Sequence, residues 1–124
     1  MLRRMQRRYY ARGLVNVTPE YLTGLFREHT SIQAGKLVEA YSGKWIRLRG
    51  PAGDVFDIGE GKVDVTFEPE TFERTTVHMF FNDRSTIENQ LRVLKKGDWI
   101  TVVGQIQRVS SAVLMLENCE LERP

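Results

Sequence analysis

The chain has 124 residues, 41% hydrophobic and 27% charged, which suits one domain with its own core and excludes wholesale disorder. No run approaches the roughly 18 apolar residues of a membrane helix, and the single cysteine, Cys119, excludes an internal disulfide framework and a cysteine-based zinc site. The formal net charge of +2 is uneven: Arg3, Arg4, Arg7, Arg8 and Arg12 fall in an acid-free start, and removing these five leaves thirteen basic against sixteen acidic residues, a body of net charge −3.

Residues 1–17 read as a basic, flexible tail, either solvated or drawn to phosphate-rich polymers or anionic headgroups by counterion release. The basic start is followed by Tyr9-Tyr10-Ala11-Arg12 and not by an apolar stretch, which argues against a secretory signal, so the expected location is cytoplasmic. Residues 18–124 read as one domain whose first part, 18–43, is a helical extension. Thr18 followed by Pro19 is a helix start, with a hydroxyl at the N-cap and proline where its missing N–H costs nothing. Leu22, Leu25 and Phe26 form one apolar stripe of a helix near 19–28. Thr30 with Gln33 three residues on reads as a capping box opening a second helix near 31–41, striped by Ala34, Leu37, Val38 and Tyr41 and stopped by Gly43.

From Lys44 the apolar period changes from 3.6 to 2. Ile46 and Leu48 alternate with Trp45, Arg47 and Arg49, as in a half-buried strand. Gly50, Pro51 and Gly53 interrupt it before Val55, Phe56 and Ile58 resume, which marks a bulge or bend. Gly59-Glu60-Gly61 signals a hairpin. Val63, Val65 and Phe67 then share one face, with Lys62, Asp64, Thr66 and Glu68 on the other. After a polar loop at 69–74, Val77, Met79 and Phe81 point inward, with Thr76, His78 and Phe80 outward. Ser85 and Glu88 form a full capping box for a third helix carrying Ile87, Leu91 and Leu94, and Gly97 ends it. Ile100, Val102, Gly104 and Ile106 share a face of a fourth strand, and Ala112 to Leu121 supplies a fifth after the turn at Val109-Ser110-Ser111.

Five such strands cannot leave their apolar faces open. The expected fold is therefore mainly β: an OB-fold, a five-stranded antiparallel Greek-key barrel with a helix between strands three and four, preceded by two N-terminal helices. Three stretches bear on its relatives: Tyr41-Ser-Gly-Lys-Trp-Ile-Arg-Leu-Arg-Gly50, Leu94-Lys-Lys-Gly-Asp-Trp-Ile-Thr-Val-Val-Gly104 and Leu116-Glu-Asn-Cys-Glu-Leu121. Through them the chain, from about Thr18 to Glu122, resembles the tRNA anticodon-binding-like family of prokaryotic OB-fold proteins. The resemblance implies a binding barrel and carries no chemistry with it.

OB-folds bind ligands across the outer face of strands two and three. The residues expected on or near that face are Trp45, Arg47, Arg49, Lys62, His78 and Phe80, where aromatic rings would stack bases and cations would hold the backbone of single-stranded DNA or RNA. Asp64 and Glu68 on the same face oppose phosphate. Each residue also has a structural explanation: Trp45 and Phe80 packing under the helical pair, Arg47 and Arg49 pairing with Asp64 or Glu68 across the strands, His78 as a surface residue. No catalytic motif, metal site or cofactor site is expected, since His29 and His78 stand on different elements and Cys119 has no neighbouring base. The expected function is a non-catalytic module for single-stranded nucleic acid, aided by the arginine tail. The alternative is a module for a protein partner or a second copy, favoured by the acidic body and by two helices that the barrel does not itself require.

Overall fold

The computed structural model describes residues 13–82, 90–91 and 93–122. The five tail arginines and the expected capping box at 85–88 lie outside them; Gln90 and Leu91 are helical, and Leu91 packs on the core. Two helices, α1 (Pro19–Glu28) and α2 (Ser31–Glu39), precede five strands: β1 (Trp45–Gly59), β2 (Lys62–Phe67), β3 (Thr76–Phe81), β4 (Trp99–Val109) and β5 (Val113–Glu122). No helix among the described residues is long and apolar enough to cross a membrane.

The helix caps form as their side chains dictate. Thr18 Oγ1 accepts the Tyr21 N–H at 3.1 Å. Thr30 and Gln33 complete their capping box in both directions, at 3.3 and 3.2 Å. α1 buries Pro19, Leu22, Thr23 and Leu25, whereas α2 buries only Ala34. The stripe expected on the second helix is therefore corrected: Leu37 is exposed, and Tyr41 lies beyond the helix end, edge-on to Tyr21 at 6.2 Å.

The strands close in the order β1-β2-β3-β5-β4, with β4 returning to β1. Every pair is antiparallel except β3 with β5, which runs parallel from Thr76 opposite Val113 to Met79 opposite Leu116. The expectation of a wholly antiparallel barrel fails for a geometric reason. Directions cannot alternate all the way round a ring of five strands, so at least one pair must be parallel.

β1 makes closure feasible by changing partners. Its residues Trp45 to Pro51 pair with β4, and Ala52 to Gly59 pair with β2. Between Ala52 and Val55 three steps on β1 match two on β2, a bulge of one extra residue that bends the strand. Gly53 sits inside it, where an added Cβ would lie 2.5 Å from the Phe67 carbonyl oxygen and 2.7 Å from its carbon. The β1–β2 turn uses Gly59, Glu60 and Gly61, all at positive φ (86°, 54° and 73°), which suits its two glycines.

The alternation read from the sequence supplies the barrel core: Ile46, Leu48, Val63, Val65, Phe67, Val77, Met79, Phe81, Val102, Ile106, Leu114 and Leu116 are all buried in one cluster. Leu22 of α1, fully buried, belongs to the same cluster, so the N-terminal helix closes one end of the barrel. The Thr23 and Thr75 hydroxyls bond at 2.7 Å, and Arg27 Nη1 donates to the Ser111 carbonyl at 2.6 Å, fastening α1 to the loop before β3 and the turn before β5. Cys119 completes the packing beside Gly104, where an added Cβ would come 2.6 Å from its sulfur. Burial pushes the Cys119 thiol well above its ordinary range.

Gly53→Ala is expected to destabilise the protein by about 1–3 kcal/mol, because the new methyl meets backbone and not a yielding side chain; urea unfolding should show a lower midpoint with an unchanged slope. Cys119 should resist an aromatic disulfide reagent in the native protein at pH 8 and react rapidly once urea unfolds it, followed by thiolate release.

Candidate functional site

The change of partner along β1 divides the outer surface into two sheets, and with it the residues singled out from the sequence. Trp45, Arg47 and Arg49 lie on the β1–β4–β5 sheet, opposite Gln105, Val103 and Thr101 of β4. Lys62, His78 and Phe80 lie on the sheet formed by β2, β3 and the second half of β1. The six do not form one face.

On the first sheet, Trp45 is only 2% exposed and packs with Val103 and Leu14. The cover comes from the segment before α1 and not from the helical pair: Leu14 bridges Trp45 in parallel, and the Val15 N–H donates to the Trp45 carbonyl at 2.8 Å. Trp45 therefore offers no ring face for stacking. Arg47 Nε donates to both carboxylate oxygens of Glu122, at 3.0 and 3.2 Å, so its partner is on β5 and is neither Asp64 nor Glu68. This pair is solvated and worth less than about 1 kcal/mol. Arg49 lies over the Trp99 ring, 4.7 Å from its centroid, and Trp99 is 61% exposed. Sequence reading passed over Trp99; its signal is a large aromatic at a strand start, opposite Pro51.

On the second sheet, Phe56, Asp64 and Phe80 form one cross-strand row, and Thr66 and His78 form the next, which continues into Met115 of β5. Phe56 is 48% exposed and Phe80 half-buried. His78 stacks on Phe80 with ring centroids 6.3 Å apart and planes 11° from parallel. His78 Nδ1 donates to Asp64 Oδ2 at 2.8 Å, a diagonal link between the two rows. This pairing places Asp64 beneath the surface, although alternation puts it on the outer face. Lys62 is exposed where β2 leaves the hairpin, and Val55 and Ile58 are exposed beside Phe56.

Phe56 is a second residue that sequence reasoning missed. Uninterrupted alternation from Ile46 and Leu48 would turn it into the core, but the bulge at Gly53 reverses the parity, so Val55 pairs with Val65 and Phe56 turns outward opposite Asp64. The interrupting glycine was the available signal; the direction of the reversal was not. Next to Phe56 opens a cleft of about 720 Å³, bounded by Asp54, Glu68, Glu70, Phe72, Arg74 and Lys96. Its carboxylates slightly outnumber its cations, and Lys96 Nζ stands 3.7 Å from Asp54 Oδ2. Among the described residues no three His, Cys, Asp or Glu side chains are grouped to hold a metal ion.

No curated protein matches the chain. Among solved structures, a lipoprotein from Klebsiella pneumoniae subsp. pneumoniae MGH 78578, proposed to bind nucleic acid, is similar at 25% identity with a TM-score of 0.54, over 71% of this chain and 77% of that one. More distant are an OBody bound to hen egg-white lysozyme (12% identity, TM-score 0.47, 66% and 84% covered) and the S. pombe Stn1–Ten1 complex (23% identity, TM-score 0.45, 64% and 59% covered). The family model described as tRNA_anti-like matches residues 29–120, from the end of α1 to all but the last residues of β5. The chain belongs to the tRNA_anti-like family.

Proposed function

We propose that this barrel is a non-catalytic module that holds single-stranded nucleic acid across the outer face of β2, β3 and the second half of β1. The observation that carries the reading is the row Phe56–Asp64–Phe80, two aromatic side chains flanking β2 from β1 and β3, with the Phe56 ring about half exposed. Base stacking on such rings contributes about 1–3 kcal/mol per base and tolerates any sequence. Lys62 stands at the edge of the face for a phosphate, and the arginines at positions 3, 4, 7, 8 and 12 supply further charge along the same chain. The proposed nucleic acid-binding role of the K. pneumoniae lipoprotein agrees with this reading.

Fluorescence anisotropy with labelled single-stranded DNA and RNA tests it. Binding is expected at low salt and should weaken steeply as salt rises. Phe56→Ala and Phe80→Ala should each weaken it roughly tenfold, whereas Arg49→Ala, on the other sheet, should leave it nearly unchanged. Absence of binding by the wild-type protein at low salt overturns the proposal, and removal of residues 1–12 separates the contribution of the tail from that of the face.

A second reading has its own observation. Exposed Trp99 with Arg49 laid over it presents two of the residue types enriched at protein interface hot spots, on the β1–β4 pair and not on the sheet that carries the Phe56 row. If this surface joins two copies, sedimentation velocity should show a dimer at high concentration that Trp99→Ala converts to monomer. A wild-type protein that stays monomeric throughout removes self-association.

A further inference from the structure

Asp64 is an unusual residue for the middle of a barrel strand, and its pairing to His78 accounts for only half of its carboxylate. Oδ2 accepts from His78 Nδ1, but Oδ1 is buried and meets no hydrogen-bond donor among the described residues. The side chain is 10% exposed, so water does little to replace the missing partner. A buried acceptor left without a donor destabilises the fold, and more so when it is charged. Aspartate is also among the residues least suited to a strand interior. His78, partly solvated, would lose little without a carboxylate. By strand preference a threonine or valine would suit position 64 better, and the unpartnered oxygen is open to a donor from a bound ligand.

Its surroundings indicate what kind of donor. Phe56 is directly opposite Asp64 on β1, and Phe80 directly opposite on β3. A flat ring stacked on either phenylalanine carries its edge toward Asp64. Because Oδ1 is buried, donation to it requires a neighbouring side chain to turn aside as the ring arrives, and Phe56, nearly half exposed, is the nearest candidate across the strands. The donor is then an N–H on the edge of a planar heterocycle.

We infer that Asp64 selects among the bases of the nucleic acid that the face holds, by accepting an N–H from the exocyclic amino group of a stacked base through Oδ1. The inference rests on the nucleic-acid reading above and adds a preference to it. Cytosine, with an amino group at C4, satisfies the oxygen; thymine and uracil present a carbonyl oxygen at that position and carry their edge N–H at N3, flanked by two carbonyl oxygens, so donating it brings a further acceptor against the carboxylate. A site built to pair with an amino group rejects a base that lacks one, because the buried acceptor then stays unpaired.

The test compares oligo(dC) and oligo(dT) of equal length at neutral pH and fixed salt, with wild-type protein and Asp64→Asn. The wild-type protein is expected to bind oligo(dC) roughly tenfold tighter. Asparagine keeps the shape of aspartate and can still accept from His78 through its oxygen, while turning an NH2 group toward the vacant position. Its preference should disappear or pass to oligo(dT), with thermal unfolding showing that the fold is intact. Phe56→Ala serves as the control and should weaken both oligonucleotides together. Equal wild-type affinity for the two overturns the inference and leaves the nucleic-acid reading standing. A wild-type preference that survives unchanged in Asp64→Asn also overturns it. Binding of neither oligonucleotide overturns the nucleic-acid reading itself, and this inference with it.

Discussion

The whole architecture turns on one close approach between backbones, that of Gly53 to the Phe67 carbonyl. In a closed ring every strand has two neighbours, and β1 divides its two along its length, ending its pairing with β4 at Pro51 and beginning with β2 at Ala52. The Pro51 carbonyl accepts from Glu68 at 2.9 Å, and the Ala52 N–H and carbonyl bond to Asp98 and Gly97, so each backbone group at the change finds a partner. A side chain at position 53 would wedge the two strands apart at the point where they must be nearest. The same extra residue turns Phe56 outward. Closure of the barrel and exposure of the aromatic row therefore have a single cause.

Much of this was legible in residue order. The caps at Thr18 and Thr30, the change of period at Lys44, the hairpin glycines and the inward set of β2, β3 and β4 all follow from local rules, and all are present. Local rules fail where a distant segment decides the outcome. Nothing in the neighbourhood of Trp45 says that Leu14, thirty-one places earlier in the numbering, will cover it. Nor do the charges of Arg47 and Arg49 say which carboxylate or ring they will meet, because that depends on which strand lies beside the first half of β1. The aromatic row was half visible: Phe80 follows from alternation alone, and Phe56 requires the bulge to be counted.

The two outer sheets are chemically distinct. One carries an exposed tryptophan under a guanidinium and an ion pair between Arg47 and Glu122, and the other carries rings around a carboxylate and an imidazole. Because they face different directions, a surface used for one partner leaves the other free. α1 constrains both indirectly, since Leu22 fills the end of the barrel and Arg27 holds the turn between β4 and β5.

The lone parallel pair bears on how the chain comes to be folded. β1, β2 and β3 follow one another as a simple meander and can pair as they are made, but β3 finds its second neighbour only in β5, and the first half of β1 finds its own only in β4. The long separations of Thr23 from Thr75 and of Arg27 from Ser111 add late contacts at the other end of the barrel. A growing chain thus carries an open three-stranded sheet whose far edge has unpaired backbone groups, the kind of edge that recruits foreign strands. On the ribosome, the interval of greatest exposure runs from the emergence of Phe81 to that of Val113.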